Sequence, residues 1–247
     1  MIVYSLFATS MAWAASQSEP IDASPAYRAD DYYLARRNLD NVSKAISIVQ
    51  AAVSQDPKDY EAWWRIAEYD CFLAQHSPKR RAKSILQEGI EAGKRAESLQ
   101  PGRPEGHFWT GANEGLLAEN SNVIIALRFI NPVRTEMETV MKIDPNYQRY
   151  GAERILGRLY DEAPFFRGGN KALSIRLLED CLRRYPDNSQ TLLYLADSYM
   201  SVGRRADAQK MLERILALCP DPVYEPELLD NQAAAREKLN RNFNEKR

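Results

Sequence analysis

The chain has 247 residues, 45% of them hydrophobic, with 33 lysines and arginines against 34 aspartates and glutamates. That apolar share supports a continuous core and excludes a disordered chain, while a net charge of −1 gives no global field that would draw it to nucleic acid or to an anionic membrane. Three cysteines without CxxC spacing (Cys71, Cys181 and Cys219) and only two histidines (His76 and His107) argue against a metal centre, and no cofactor motif is present. The cysteines lie in apolar helical contexts and read as small core residues.

Residues 1–14, MIVYSLFATSMAWA, are almost all apolar or small and end in Ala12-Trp13-Ala14, the small-x-small pattern of a signal peptidase site. The expectation is an export signal and a periplasmic mature protein. The missing basic n-region points to a start further upstream, and a buried N-terminal helix is the alternative. The segment is too short to span a bilayer as a helix. Residues 15–25 are polar, with Ser and Pro, and read as a linker.

From residue 26 to residue 222 the chain is periodic. Prolines close similar phrases at Pro57, Pro101, Pro145, Pro186 and Pro220, with spacings of 44, 44, 41 and 34 residues. Each phrase looks like the end of the second helix of a repeat, which proline stops before the next repeat starts. The first unit, YRADDYYLARRNLDNVSKAISIVQAAVSQDP, is polar in its first helix, as a terminal repeat must be when nothing stacks on its outer face. The second opens with YEAWWRIAEYDCFLA, where Trp63, Ile66, Ala67 and Asp70 keep helical spacing. Its second helix, up to Pro101, is longer than usual by about ten residues, or roughly 15 Å. In the third unit EGHFWTGANEGLLAEN is followed by SNVIIALRFINPVRTEMETVMKI, whose Pro132 should kink or split the helix. The fourth pairs Leu156, Gly157 and Tyr160 with Ala172, Leu178 and Cys181 around an enlarged turn, APFFRGGN. The fifth, Ser189 to Pro222, is the clearest: Leu192, Leu195, Ala196 and Tyr199 form an i, i+3, i+4, i+7 stripe, Gly203 sits in the turn, and Ala208, Leu212 and Ile215 continue the pattern. Residues 223–247 make a charged capping helix. The reading is all-α: a tetratricopeptide-type helical repeat array of ten to twelve helices in a right-handed superhelix, with extended second helices and essentially no sheet.

Two phrases are more specific than this grammar. GHFWTGANEG (Gly106 to Gly115) and GAERILGRLYDEAPFFRGGNKAL (Gly151 to Leu173), with the long second helices, resemble the T component family of TRAP transporters over about Tyr27 to Pro220. The resemblance implies a periplasmic tetratricopeptide protein that associates with itself, docks a solute-binding protein and holds a lumen for an apolar small ligand. Members are often lipoproteins, and here no lipobox cysteine is visible.

Stacked helix pairs leave a concave face lined by first helices, where exposed aromatics would contact a partner. The candidates are Trp63, Trp64, Tyr69, Phe108, Trp109 and Asn113, with Tyr160, Phe165 and Phe166 near the enlarged turn. Trp63 and Trp64 are adjacent and must point about 100° apart, so they cannot fill the same core position. Core packing is the competing account of every aromatic at helical spacing. His107 and Glu114 lie two turns apart on one helix face, but no nucleophile or third group accompanies them, so a non-enzymatic protein is expected and an enzyme using that pair is the distant alternative. Gly168-Gly169-Asn170 reads as a turn and N-cap rather than an anion nest, and Lys79 to Lys83 as a solvated face. The first alternative to a TRAP-associated scaffold is a general protein-interaction adaptor, for instance in envelope assembly.

Overall fold

A computed structural model describes residues 25–244. The expected export signal, most of the linker and the last three residues lie outside the described residues.

Five helical hairpins follow one another, and a single helix closes the array. They are α1 (Pro25–Leu34) with α2 (Leu39–Gln55), α3 (Tyr60–Gln75) with α4 (Lys79–Leu99), α5 (Pro104–Glu119) with α6 (Val123–Ile143), α7 (Tyr147–Glu162) with α8 (Lys171–Arg184), and α9 (Ser189–Ser201) with α10 (Arg205–Ala217). Helix α11 (Glu225–Leu239) packs on α9 and α10 and ends in a π-helical turn, Asn240–Asn244. No strand occurs among the described residues. Helices α4 and α6 have 21 residues each against 13 in α10, which is the expected extension of the second helices.

Local chemistry fixes the helix ends. Asp59, Asn122, Asn170 and Asn188 each accept a hydrogen bond from the backbone N–H three residues on, satisfying one of the orphan donors of the first turn. At the other ends, the residues before Pro57, Pro101, Pro145 and Pro186 are the C-caps of α2, α4, α6 and α8, and all four are extended rather than helical. Proline disfavours the helical conformation of its predecessor, so each repeat ends where its proline stands. Gly203 turns the chain from α9 to α10 with φ +79°, a value side chains resist.

Packing follows the predicted stripes. Leu192, Leu195, Ala196 and Tyr199 of α9 are buried against Ala208, Leu212 and Ile215 of α10, together with Leu178 and Ala235. A second core joins α1 to α5 through Ala29, Val42, Ile66, Tyr69, Leu86 and Leu117, and a third joins α5, α6 and α7 through Phe108, Val133, Met137 and Leu156. Two expectations are corrected. Helix α6 runs unbroken through Pro132; proline removes only the bond to the carbonyl of Arg128, on an exposed stretch where water can serve that acceptor. Cys219 is exposed in the loop after α10, unlike the buried Cys71 and Cys181.

The two ends of the array are joined by side chains. Arg36, in the α1–α2 turn and only 3% exposed, donates to both carboxylate oxygens of Glu227 at 2.8 and 2.7 Å and to the carbonyl of Val223. His76, capping α3, meets Asp230 of α11 at 2.9 Å. The stack therefore bends round until its last helix touches its first hairpin.

Candidate binding cavity

The bend encloses a cavity of about 1220 Å³. Its walls come from α1, α3, α5, the N-terminal half of α6, α7, the start of α9 and α11. Trp64, Phe72, Phe108, Trp109, Phe129, Tyr147, Tyr194 and Tyr224 face it, with Leu116, Ile130 and Ile155 between them. These rings share the wall with a belt of charged residues, among them Asp30, Glu68, Glu105, Arg154, Arg158 and Glu162, and a lining of both kinds suits an amphipathic guest.

Adjacent tryptophans separate as helix geometry requires. Trp63 packs against the core that joins α1 to α5 and donates its indole N–H to the carbonyl of Pro57. Trp64 turns to the cavity, donates to Glu61 at 3.0 Å and lies 4.1 Å below the guanidinium of Arg65. Arg65 is itself buried, forked on Asp30 at 2.8 and 2.9 Å and bonded to Glu61 at 2.7 Å. Phe108 and Trp109 meet edge to face with centroids 4.9 Å apart, and Phe108 meets Tyr147 in the same way at 5.2 Å. The other candidates lie elsewhere. Tyr69 is fully buried, its hydroxyl on Asp30. Asn113 is fully buried between α3 and α5, donating to the carbonyls of Ala67 and Trp109. Tyr160 packs beside the third core beneath Arg134. Phe165 and Phe166 are 93% and 76% exposed on a 3₁₀ turn (Phe165–Arg167) that Arg167 ties to the carbonyl of Leu127 in α6. Asn170 does cap α8.

Sequence reasoning missed three features of the wall. The first is Gly115, at mid-helix in α5, where an added Cβ would meet nothing within 4 Å. No packing contact demands a glycine there, and the residue weakens its helix relative to alanine; what it preserves is open volume. The second is the start of α7, where Gln148, Arg149 and Tyr150 have φ of 50°, 53° and 61°. Three consecutive non-glycine residues in the left-handed region cost about 1–2 kcal/mol each. Arg154 holds this turn by donating to the carbonyls of Arg149 and Gln148 at 3.1 and 3.3 Å, while Arg149 bonds Asp221 and covers the ring of Tyr224. The next residue, Gly151, is pressed by the ring of Phe108, 2.6 Å from where a Cβ would stand. The third is Glu68. Burial, followed by the charge of Asp30, pushes its carboxyl up to about 8, so near neutrality it is a protonated donor on the cavity wall. Across the cavity Arg154 makes no ion pair among the described residues, and burial lowers its pKa. Among the charged groups of the wall, Glu68 is thus held neutral and Arg154 stands without a carboxylate partner among the described residues.

His107 and Glu114 do not pair and do not face the cavity. His107 bonds Glu136 at 2.7 Å, and that bond raises its pKa; Glu114 is raised by burial and lies 3.5 Å from Lys94.

Stacked hairpins of this length, with glycine turns and proline stops, define a tetratricopeptide-type repeat protein. Residues 169–225 match the tetratricopeptide repeat itself. Residues 27–160, more than half of the chain, match the family described as regulator of microtubule dynamics protein 1-3, and the chain belongs to that family. No curated protein matches the chain. Among solved structures, TTC0263, a thermophilic tetratricopeptide protein of Thermus thermophilus, is 17% identical with a TM-score of 0.65, covering 87% of this chain and 97% of its own. PilW, a type IV pilus biogenesis factor, is 18% identical with a TM-score of 0.57 over 89% of this chain and 94% of its own. PilF of Pseudomonas aeruginosa is 13% identical with a TM-score of 0.53 and the same two coverages. At these identities the likeness is one of fold.

Proposed function

We propose that the protein is a non-enzymatic binding scaffold whose closed array takes a segment of a partner protein into its central cavity. The observation that carries this reading is the wall at Gly115. A helix keeps its least favourable ordinary residue where no neighbour requires it, and beside it Trp109, Phe108 and Leu116 line the open volume while their other sides pack on the neighbouring cores. Aromatic rings give large contact areas at low entropic cost, and Glu68 and Arg154 give the guest one hydrogen-bond donor and one cation to satisfy.

A second, finer reading keeps the TRAP-type role: a periplasmic scaffold that docks a solute-binding protein, associates with itself and holds an apolar small ligand. What supports it is that both phrases carrying the resemblance wall the cavity, GHFWTGANEG through Phe108, Trp109, Ala112 and Gly115 and the α7 phrase through Arg154, Ile155, Arg158 and Leu159. The apolar run of residues 1–14 supports export. The family's name speaks of microtubule dynamics for its namesakes.

The test is to fill the cavity. Gly115→Trp should leave the melting temperature within roughly 2 °C of wild type, because its Cβ meets nothing. It should also abolish cross-linking of a partner from a photoreactive residue placed at Gln75 on the cavity rim. Undiminished cross-linking in the filled variant would sink the cavity as the binding site. An apolar small molecule released from the wild-type chain on denaturation, and not from Gly115→Trp, would favour the second reading; a solute-binding protein among the cross-linked species would support it further.

A further inference from the structure

Away from the cavity, three second- and first-helix faces converge where α4, α5 and α6 run side by side. Glu97 of α4, His107 of α5 and Glu136 of α6 bring one ligand atom each to within 4.8 Å of one another. The arrangement of protons singles the site out. His107 Nε2 lies 3.1 Å from the carbonyl of Pro101, and a carbonyl only accepts, so Nε2 carries the ring proton. In the neutral ring Nδ1 is then a bare lone pair, and it faces Glu136 Oε2 at 2.7 Å and Glu97 Oε2 at 3.9 Å. Three acceptors meet with no donor among them, so a proton, on the imidazole or on a carboxyl, or a metal ion must join them. Fixing the tautomer through a backbone carbonyl, and orienting a carboxylate through a hydroxyl, are the outer-shell devices of metal sites. Here the Thr110 hydroxyl donates to the second oxygen of Glu97.

An independent observation points the same way. Glu114, two turns along α5 and only 4% exposed, leaves its Oε2 without a hydrogen bond. Its other oxygen has only Lys94, at 3.5 Å. Glu114 thus adds a third carboxylate, buried and short of partners, to the packing of α4 and α5.

We infer that Glu97, His107 and Glu136 form a divalent metal site of mixed nitrogen and carboxylate ligation, with Glu114 as the buried carboxylate behind it, and that the ion ties α4, α5 and α6 together. Nitrogen and oxygen ligands about 2.0–2.2 Å from zinc stand on the order of 3.4 Å apart in a tetrahedral shell. The 2.7 and 3.9 Å separations bracket that spacing, so side-chain adjustments of under about 1 Å would suffice. The three side chains are 14–18% exposed, which leaves the ion a path from solvent.

The test is titration of zinc ion into the full chelator-treated chain, followed by calorimetry. The expected result is one ion per chain, with affinity reduced at least about tenfold in Glu136→Gln and in Glu97→Gln. Cys219→Ser and His76→Ala, which remove the exposed thiol and the other imidazole, should leave uptake unchanged. Where His107→Ala perturbs folding, cobalt substitution reports on the site instead, since visible ligand-field bands of the wild-type chain should vanish in Glu136→Gln. Absence of zinc uptake, or uptake that survives both glutamine variants, would overturn the assignment in favour of a protonated histidine bridging two carboxylates.

Discussion

The α9–α10 hairpin and the α5–α7 region are made from the same repeating unit, yet they place their large side chains differently. In α9 and α10 every stripe residue is buried against its own hairpin or a neighbour, and the linking turn needs only one glycine with positive φ. In α5 to α7 the aromatics are shared between a core and an open cavity, a glycine stands where nothing touches it, and three side-chain-bearing residues adopt left-handed backbone. The first region spends its stripe on packing, with only the start of α9 and Tyr194 reaching the cavity. The second departs from local preference in several places at once, and such departures gather where a fold serves something besides packing.

Substitutions can press on this contrast. The largest effect is expected at Leu212→Ala in α10, which should lower stability by about 3 kcal/mol through the void it leaves, read as a fall in melting temperature with no loss of partner cross-linking. Arg36→Ala comes next, at about 2 kcal/mol, because a buried, forked ion pair is broken and Glu227 is left behind; small-angle scattering should show a larger radius of gyration as the ends part. An unchanged radius would mean that the array keeps its curvature without the clasp.

A smaller effect should follow from Glu68→Gln, and it should depend on pH. The folded protein holds the Glu68 proton up to about 8 whereas the ordinary value is 4.5. Between those values the folded state binds a proton that the unfolded chain has released, so stability falls as pH rises through the window. The glutamine variant should match wild type near pH 4 and melt roughly 2–4 °C higher near pH 9; equal melting at both would show that Glu68 ionises freely. The smallest effect, and the only gain without a pH condition, is expected for Gly115→Ala, which should add up to about 1 kcal/mol of helix stability while weakening cross-linking only slightly.

How legible all this was differs between the same two regions. The stripe at Leu192, Leu195, Ala196 and Tyr199, the proline stops and the long second helices could be read from the chain because they depend on local spacing. The divergence of Trp63 and Trp64 could be read too, since it follows from the 100° step of a helix. The cavity could not, because it depends on how far the stack bends, and the side chains that join its two ends, Arg36 with Glu227 and His76 with Asp230, stand more than 150 residues apart. Tyr69 and Asn113 share the periodicity of Trp109 but point into the packed side, so spacing alone does not separate groove from core. Nothing in Gln148, Arg149 and Tyr150 announces a left-handed turn, since none is a residue that favours it. The cluster at His107 escaped for a related reason: its ligands come singly from three helices, with no short-range spacing to betray them.

The clasp between Arg36 and Glu227, with His76 on Asp230 beside it, would also govern how a guest of the proposed kind arrives and leaves. An open solenoid can be approached sideways along its whole groove, but a clasped one admits a long chain only by a free end or after the clasp parts. Threading selects for termini and narrow segments over folded domains, whatever their affinity. Residence time would then be set by the rate at which two ion pairs at the seam break, rather than by the contacts inside.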